Sequence, residues 1–520
     1  MIENLEDLVE IYDVIICGAG SSGSAVAGRL AENVDIRVLL LEAGGSDDTD
    51  AVLDTDRWPM ALGSDLDWAF QTVPDSNLSG RALLYSMGKV LGGGSSINVG
   101  TWSKGHQADW DGYAAEAGDS SWDYEHVSKI YRDRVENHAG VRDPRFDGVN
   151  GAMHVEQVPP LNPFAAAVMD AAEDEGLRRF PGPGGDLMVS AGGCAPVDNI
   201  IRNGKRQSAY RSYVHPRRHQ PSLTVLTHAE VSRITFDGKR ATGIEYHHNN
   251  RLHRTLARLE VVICQGAIQT PKLLMQSGIG DPLELGRHNI PIVQHLAGVG
   301  RNLHDHVALS LVWEATDVAL PAALRSSMVA FWKTKAEIEA PNCYLYAIGV
   351  PHLTPENAAT FSSPETGWTI LMGMRPRSRG RITLTGSAVA DPPRIEANYL
   401  SDPRDMEQLK LGIERARAIG NSRALAPFRK GEFAPGNASA EALDRYIRNG
   451  LTTFWHQCGT AKMGRDASSV VDSKLKVHGI EGLRVADASI LPYVTMGNTM
   501  APCIVIGEQA AAFIRYDHKI

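Results

Sequence analysis

Apolar residues gather along this chain in short unbroken runs separated by turn residues. Asp13-Val14-Ile15-Ile16-Cys17 and Arg37 to Leu41 have the β-branched character of strands buried on both faces. Between them Val26, Leu30 and Ala31 recur at helical spacing. Leu223–Thr227, Val231–Phe236 and Thr242–Tyr246 read as further strands, the last two joined by an Asp237-Gly238 turn. Val261–Cys264 is one more buried run, and behind it Thr270-Pro271 predicts a helix start and Gly278 its stop. Leu483–Ala486 is a late strand followed by a helix near Met500–Ile514. Arg381–Leu384 and Arg394–Tyr399 instead alternate polar and apolar positions, as half-exposed antiparallel strands do.

Two glycine segments change the meaning of this pattern. Gly18-Ala19-Gly20-Ser21-Ser22-Gly23 joins the first strand to the first helix, and Glu42 closes the second strand nineteen residues beyond Gly23. Strand, G-x-G-x-x-G, helix, strand and acid in that order form a dinucleotide fingerprint. Gly18 serves the tight turn, Gly20 the approach of a pyrophosphate, Gly23 the packing of helix on strand, and Glu42 the adenosine ribose. The second segment, Gly88-Lys89-Val90-Leu91-Gly92-Gly93-Gly94-Ser95-Ser96-Ile97-Asn98, brings backbone close to a large ligand and ends in a side-chain amide. Strands of one cofactor domain thus come from the start, middle and end of the chain. The expected fold is α/β with an α+β substrate part. A Rossmann-like domain over 1–154, 199–307 and 466–520 carries an inserted antiparallel-sheet domain over 155–198 and 308–465.

Bulk properties exclude other classes. With 52 basic and 61 acidic residues the net charge is −9, which argues against nucleic acid as a main partner. No apolar stretch is long enough to span a membrane. The acidic segment Met1–Asp7 does not read as a signal peptide. Six scattered cysteines without C-x-x-C spacing fit a reducing compartment, so a cytoplasmic location is expected.

Gly88 to Asp111 and Gly266 to Gly280 resemble the two signature stretches of the glucose–methanol–choline (GMC) oxidoreductases, and the likeness runs from Tyr12 to Ile514. Further marks are Arg379-Gly380-Arg381, Asp391-Pro392-Pro393 and Val485-Ala486-Asp487-Ala488-Ser489. The resemblance implies FAD rather than a nicotinamide cofactor. It also implies that Ser21, Ser22, Ala43, Val90, Gly93, Gly94, Asn98, Val99, Ala488, Thr499 and Met500 line the flavin nucleotide, with Val231 at the adenine and Asp487 at the pyrophosphate or ribityl chain. Some members attach FAD through a histidine in a Ser-Ser-His-Asn arrangement. Here the run is Ser95-Ser96-Ile97-Asn98, so non-covalent FAD is expected.

Alcohol oxidation of the kind this resemblance implies passes a hydride to flavin N5 while a base takes the hydroxyl proton, a task suited to neutral imidazole. Among eighteen histidines, His456 lies in Phe454-Trp455-His456-Gln457-Cys458-Gly459-Thr460, an aromatic stretch that would desolvate the ring. It matches the family's catalytic histidine, and Asn498 matches its His-or-Asn partner. With Thr499, Asn498 is equally suited to cap the helix that follows. His304-Asp305-His306 suggests a metal site but lacks a third nearby ligand, and no metal is expected. Phe454, Trp455 and Trp102 are candidate pocket walls, with packing between domains as the alternative. The expected substrate is a primary aromatic or heteroaromatic alcohol, with O2 or another electron acceptor. The alternatives are a dehydrogenase of aliphatic alcohol, choline, polyol or sugar, and a hydroxynitrile-lyase-like FAD protein.

Overall fold

The computed structural model describes residues 10–140, 142–158, 160–321 and 324–520, so the Met1–Asp7 stretch lies outside the described residues. Two seven-stranded sheets organise the chain. In the first, strands Leu223–Leu226, Val38–Leu41, Ile11–Cys17 and the long strand Arg251–Ile263 lie side by side, all parallel. The first half of Arg251–Ile263 pairs antiparallel with Arg240–His248, which turns back at Gly238 to pair with Glu230–Asp237. Its last residues pair in parallel with Leu483–Val485. The central strands are sealed on both faces, which explains their unbroken apolar sequences.

The second sheet is antiparallel throughout, in the order Gly431–Ala434, Val307–Glu314, Gly367–Met374, Cys343–Ile348, Met328–Trp332 and Gly193–Pro196, with Thr452–Thr453 also pairing to Val307–Glu314. Helix Pro403–Asn421 packs on one face, where Gly412 and Gly420 admit Met372 and Trp313 at distances a Cβ would forbid. The other face turns Tyr346, Ile348, Leu371 and Ala308 toward a large cavity. The alternating segments near 381 and 394 form a two-stranded antiparallel ribbon with one buried position in each strand.

One predicted boundary is wrong for an instructive reason. The helix expected to start at Thr270-Pro271 spans Gly266–Gln276, with Pro271 inside it. Proline there cannot donate to the Ala267 carbonyl one turn back. The Thr460 hydroxyl donates to that carbonyl instead, at 2.6 Å, so the helix runs through the proline without a buried orphan. Gly278, at φ +87°, ends it as expected.

Candidate active site

A single elongated cavity of about 650 Å³ runs from the first sheet to the open face of the second. Its dinucleotide end is built by close backbone approach. A Cβ at Gly23 would sit 1.9 Å from the Gly18 carbonyl oxygen, and one at Gly93 would sit 2.8 Å from the Gly20 Cα. The two glycine segments therefore touch, and only glycine allows it. Gly18, Gly20, Ser21, Ser22, Glu42, Ala43, Gly93, Gly94, Asn98, Val99, Val231, Asp487, Ala488, Thr499 and Met500 all line the cavity. Gly23 does not reach the wall and acts on packing.

Three of the longer helices, Ser21–Leu30, Gly266–Gln276 and Met500–His518, start at this wall without an N-cap side chain. In the second of them Asp487 takes the Gly266 amide, leaving the other two open. Helices 107–117, 163–174, 403–421 and 440–450 each have one. Uncapped N-termini leave amide donors for an anionic ligand. Glu42 accepts from the Ala19 and Gly44 amides, at 3.0 and 2.9 Å, and burial pushes its carboxyl up to about 7. Asp487 accepts from the Gly266 amide at 2.9 Å, the Thr270 hydroxyl at 2.6 Å and the Ser489 amide at 2.8 Å. It thus ties helix 266–276 to the late strand, and burial raises its pKa. Asn98 takes two donors on its side-chain oxygen, the buried Arg206 guanidinium at 2.7 Å and the Gly100 amide at 2.9 Å. Touching glycine segments, an acid after the second strand and two open helix ends together fit a flavin dinucleotide.

Two expected cavity residues are placed elsewhere. Trp102 is buried with its indole N–H on Glu136 at 2.8 Å. Neighbouring residues of an extended strand face opposite ways, and here Thr101 faces the cavity. Val90 packs with Val52, Ala61 and Ile97 behind the glycine loop, leaving Gly88, Gly93 and Gly94 at the wall.

At the opposite end, His456 follows Trp455, whose φ of +58° is unusual for a bulky residue. Asp305 holds this turn. One carboxylate oxygen accepts from the His456 amide at 2.8 Å. The other accepts from the Gln457 amide group and the Tyr399 hydroxyl, both at 3.0 Å, and from the Thr453 hydroxyl. Burial raises the Asp305 pKa to about 7, against these hydrogen bonds, which lower it. The His456 ring stacks on Phe454, with ring centres 5.8 Å apart. Its Nδ1 lies 2.9 Å from His306 Nδ1 and its Nε2 lies 3.3 Å from Asn498 Nδ2. Burial lowers the His456 pKa to about 3, so the ring is neutral. Asn498 Oδ1 accepts from the Tyr346 hydroxyl at 2.6 Å. Neither Asn498 nor Thr499 caps the C-terminal helix through its side chain. Trp455 stands at the mouth, edge-on to Trp58 at 6.3 Å.

Sequence reasoning missed Tyr346, Trp58, Asp305 and His306. The His304-Asp305-His306 triplet was the available signal for the last two, and the tyrosines at 344 and 346 share the spacing of one strand face.

A flavin-sized cleft ending in a neutral imidazole defines a flavoprotein that oxidises alcohols, and comparison with known proteins agrees. Residues 12–308 and 376–507 match the two profiles of the GMC oxidoreductases, and the chain belongs to that family. It is an alcohol oxidoreductase and its cofactor is FAD. It is 35% identical to the oxygen-dependent choline dehydrogenase of Paraburkholderia xenovorans (strain LB400), over 97% of this chain and 94% of the relative. The enzyme of the same name from Cronobacter sakazakii is also 35% identical, over 97% and 95%. Among solved structures, pyridoxine 4-oxidase from Mesorbium loti superposes with a TM-score of 0.91 at 29% identity, covering 98% of this chain and 99% of the other. A fungal aryl-alcohol oxidase at 22% identity shares the fold, with a TM-score of 0.83 over 99% and 100% of the two chains. No helix among the described residues is long and apolar enough to cross a membrane.

Proposed function

We propose that this chain is an FAD-dependent oxidase of primary aromatic or heteroaromatic alcohols, with His456 as general base and Asn498 as its partner on the substrate oxygen. The observation that carries the reading is the pairing of a neutral imidazole with a side-chain amide at the aromatic end of the cavity. Trp58, Tyr346, Phe454 and Trp455 surround that end. The acidic residues among the described cavity walls, Glu42, Glu230 and Asp487, belong with the dinucleotide loops, whereas the charged side chain near Trp58 is Arg325. A quaternary ammonium would gain ring faces there but find the nearby Asp56 carboxylate already paired with Arg325 at 2.7 Å. That favours a neutral aromatic alcohol over choline. Choline, the donor in the names of the 35% identical relatives, is the second reading.

Bound FAD supplies the hydride acceptor. The protein's own share is proton handling and placement. His456 Nε2 takes the hydroxyl proton, Asn498 Nδ2 donates to the same oxygen, and the aromatic walls orient the carbon and exclude water. Ile97, where other members carry a histidine, offers no nucleophile, so the flavin is held without a covalent bond. In this reading residues 1–154, 199–307 and 466–520 hold FAD and residues 155–198 and 308–465 hold substrate.

The test uses purified holoenzyme. Aryl alcohols should bleach the yellow colour anaerobically faster than choline or polyols, readmitted air should restore it with peroxide formed, and denaturation should release the flavin. Substitution His456→Ala should keep FAD and lower turnover roughly 10²- to 10⁴-fold. Near-normal turnover removes the base assignment. Bleaching by choline alone removes the substrate class, and bleaching without peroxide removes oxygen as acceptor.

A further inference from the structure

A base must present a lone pair, and a neutral imidazole has one only on the nitrogen without a proton. His456 meets a hydrogen-bonding partner at both nitrogens, so its useful tautomer depends on what those partners donate. Burial raises the Tyr346 pKa above its ordinary value, leaving a neutral O–H, and Asn498 Oδ1 is its one protein partner among the described residues. A hydroxyl that donates to an amide must face its oxygen. The amide NH2 is then turned toward His456, and an NH2 group can only donate. His456 Nε2 therefore carries no proton. His456 Nδ1 carries it and donates to His306 Nδ1, whose own proton sits on Nε2, a buried atom without a partner. The reverse orientation of Asn498 would set its oxygen against His456 Nε2, favour a proton there, and leave the Tyr346 hydroxyl without an acceptor.

We propose that Tyr346 is a positioning residue for alcohol oxidation: its hydroxyl fixes the Asn498 amide, and through that amide keeps His456 Nε2 free to accept the substrate proton. This rests on His456 being the base. Tyr346 is reached from a separate strand, Cys343–Ile348, of the antiparallel sheet. Its ring belongs to the aromatic wall, in contact with Tyr344 and Phe454, so removing the hydroxyl alone leaves the wall intact.

The experiment is a double-mutant cycle on holoenzyme with Tyr346→Phe, Asn498→Ala and the combination, each checked for full flavin content. Tyr346→Phe should lower kcat about tenfold, the scale of one lost hydrogen bond to a buried group, with KM nearly unchanged. In the Asn498→Ala background the same substitution should have little further effect, because the amide it orients is gone. Additive losses, an unchanged kcat for Tyr346→Phe, or an effect confined to KM would each overturn the proposal. The His456→Ala result separates the two levels. If that variant is inactive and the cycle is additive, only the role of Tyr346 falls; if it is active, the base assignment falls first.

Discussion

At the residue scale the site depends on Asp305 as much as on the imidazole it serves. Four donors converge on its carboxylate, and one of them is the His456 amide itself. The left-handed conformation of Trp455 costs roughly 1–3 kcal/mol in general and persists only where its surroundings enforce it. Asp305 and Thr453, which accepts from the Trp455 amide at 2.7 Å, are those surroundings. Substitution Asp305→Asn keeps the shape but turns an NH2 toward groups that also donate. The turn should relax, misplacing His456 by a fraction of its side-chain length. Turnover should fall about tenfold to a hundredfold with flavin content unchanged. Steady-state kinetics with an absorbance measure of bound flavin checks this, and a loss confined to KM would contradict it.

At the scale of elements, helix 266–276 shows how one helix is completed by a distant loop. Thr460 supplies the donor that Pro271 lacks. Replacing Thr460 by Val should strand the Ala267 carbonyl and lower stability by roughly 1–3 kcal/mol. Adding Pro271→Ala should recover much of it by restoring the local N–H, and urea midpoints of the three proteins decide. The same contact explains a failure of sequence reading. Thr-Pro is a sound helix-start signal when the preceding carbonyls have no outside partner, and no local pattern announces Thr460. Elsewhere the sequence was legible where chemistry is local. The glycine fingerprint, the acid after the second strand and the aromatic run around His456 act within a few residues of themselves. The roles of Asp305 and His306 were not legible because they reach His456 through sheet register, with Val307 paired to Thr453 and Ala308 to Thr452, and that of Tyr346 because it reaches Asn498 from a separate strand. Trp102 was misjudged because two adjacent strand residues share a neighbourhood in sequence and opposite faces in space.

At the scale of the whole molecule, buried titrating groups pull in opposite directions. Glu42 and Asp305, raised to about 7, bind protons more readily folded than unfolded, so they favour the fold as pH drops through 7 toward 4. His304, His306 and His456 are lowered by burial, so below about pH 6.5 the unfolded chain takes up protons that the fold refuses, and their contribution is lost as pH falls. Removing one histidine should expose this term. Substitution His304→Gln disturbs the contacts with Asn302 and Cys458 at every pH. Its destabilisation relative to the parent should nevertheless shrink as pH drops from 6.5 to 5, with a slope that rises toward roughly 1.4 kcal/mol per pH unit at the acid end. Denaturant titrations across that range test it, and a penalty independent of pH would show that His304 is not held neutral by the fold.

The parallel pairing of Val261–Ile263 with Leu483–Val485 has a consequence for biogenesis. The segment that brings Asp487, Asn498 and the uncapped helix start to the cleft is made long after the glycine loops that need it. The nascent polypeptide must therefore wait, without a closed nucleotide cleft, until strand Leu483–Val485 has been made. Flavin capture is in this way reserved for chains in which strand Leu483–Val485 and the helix starting at Met500 have joined the first sheet.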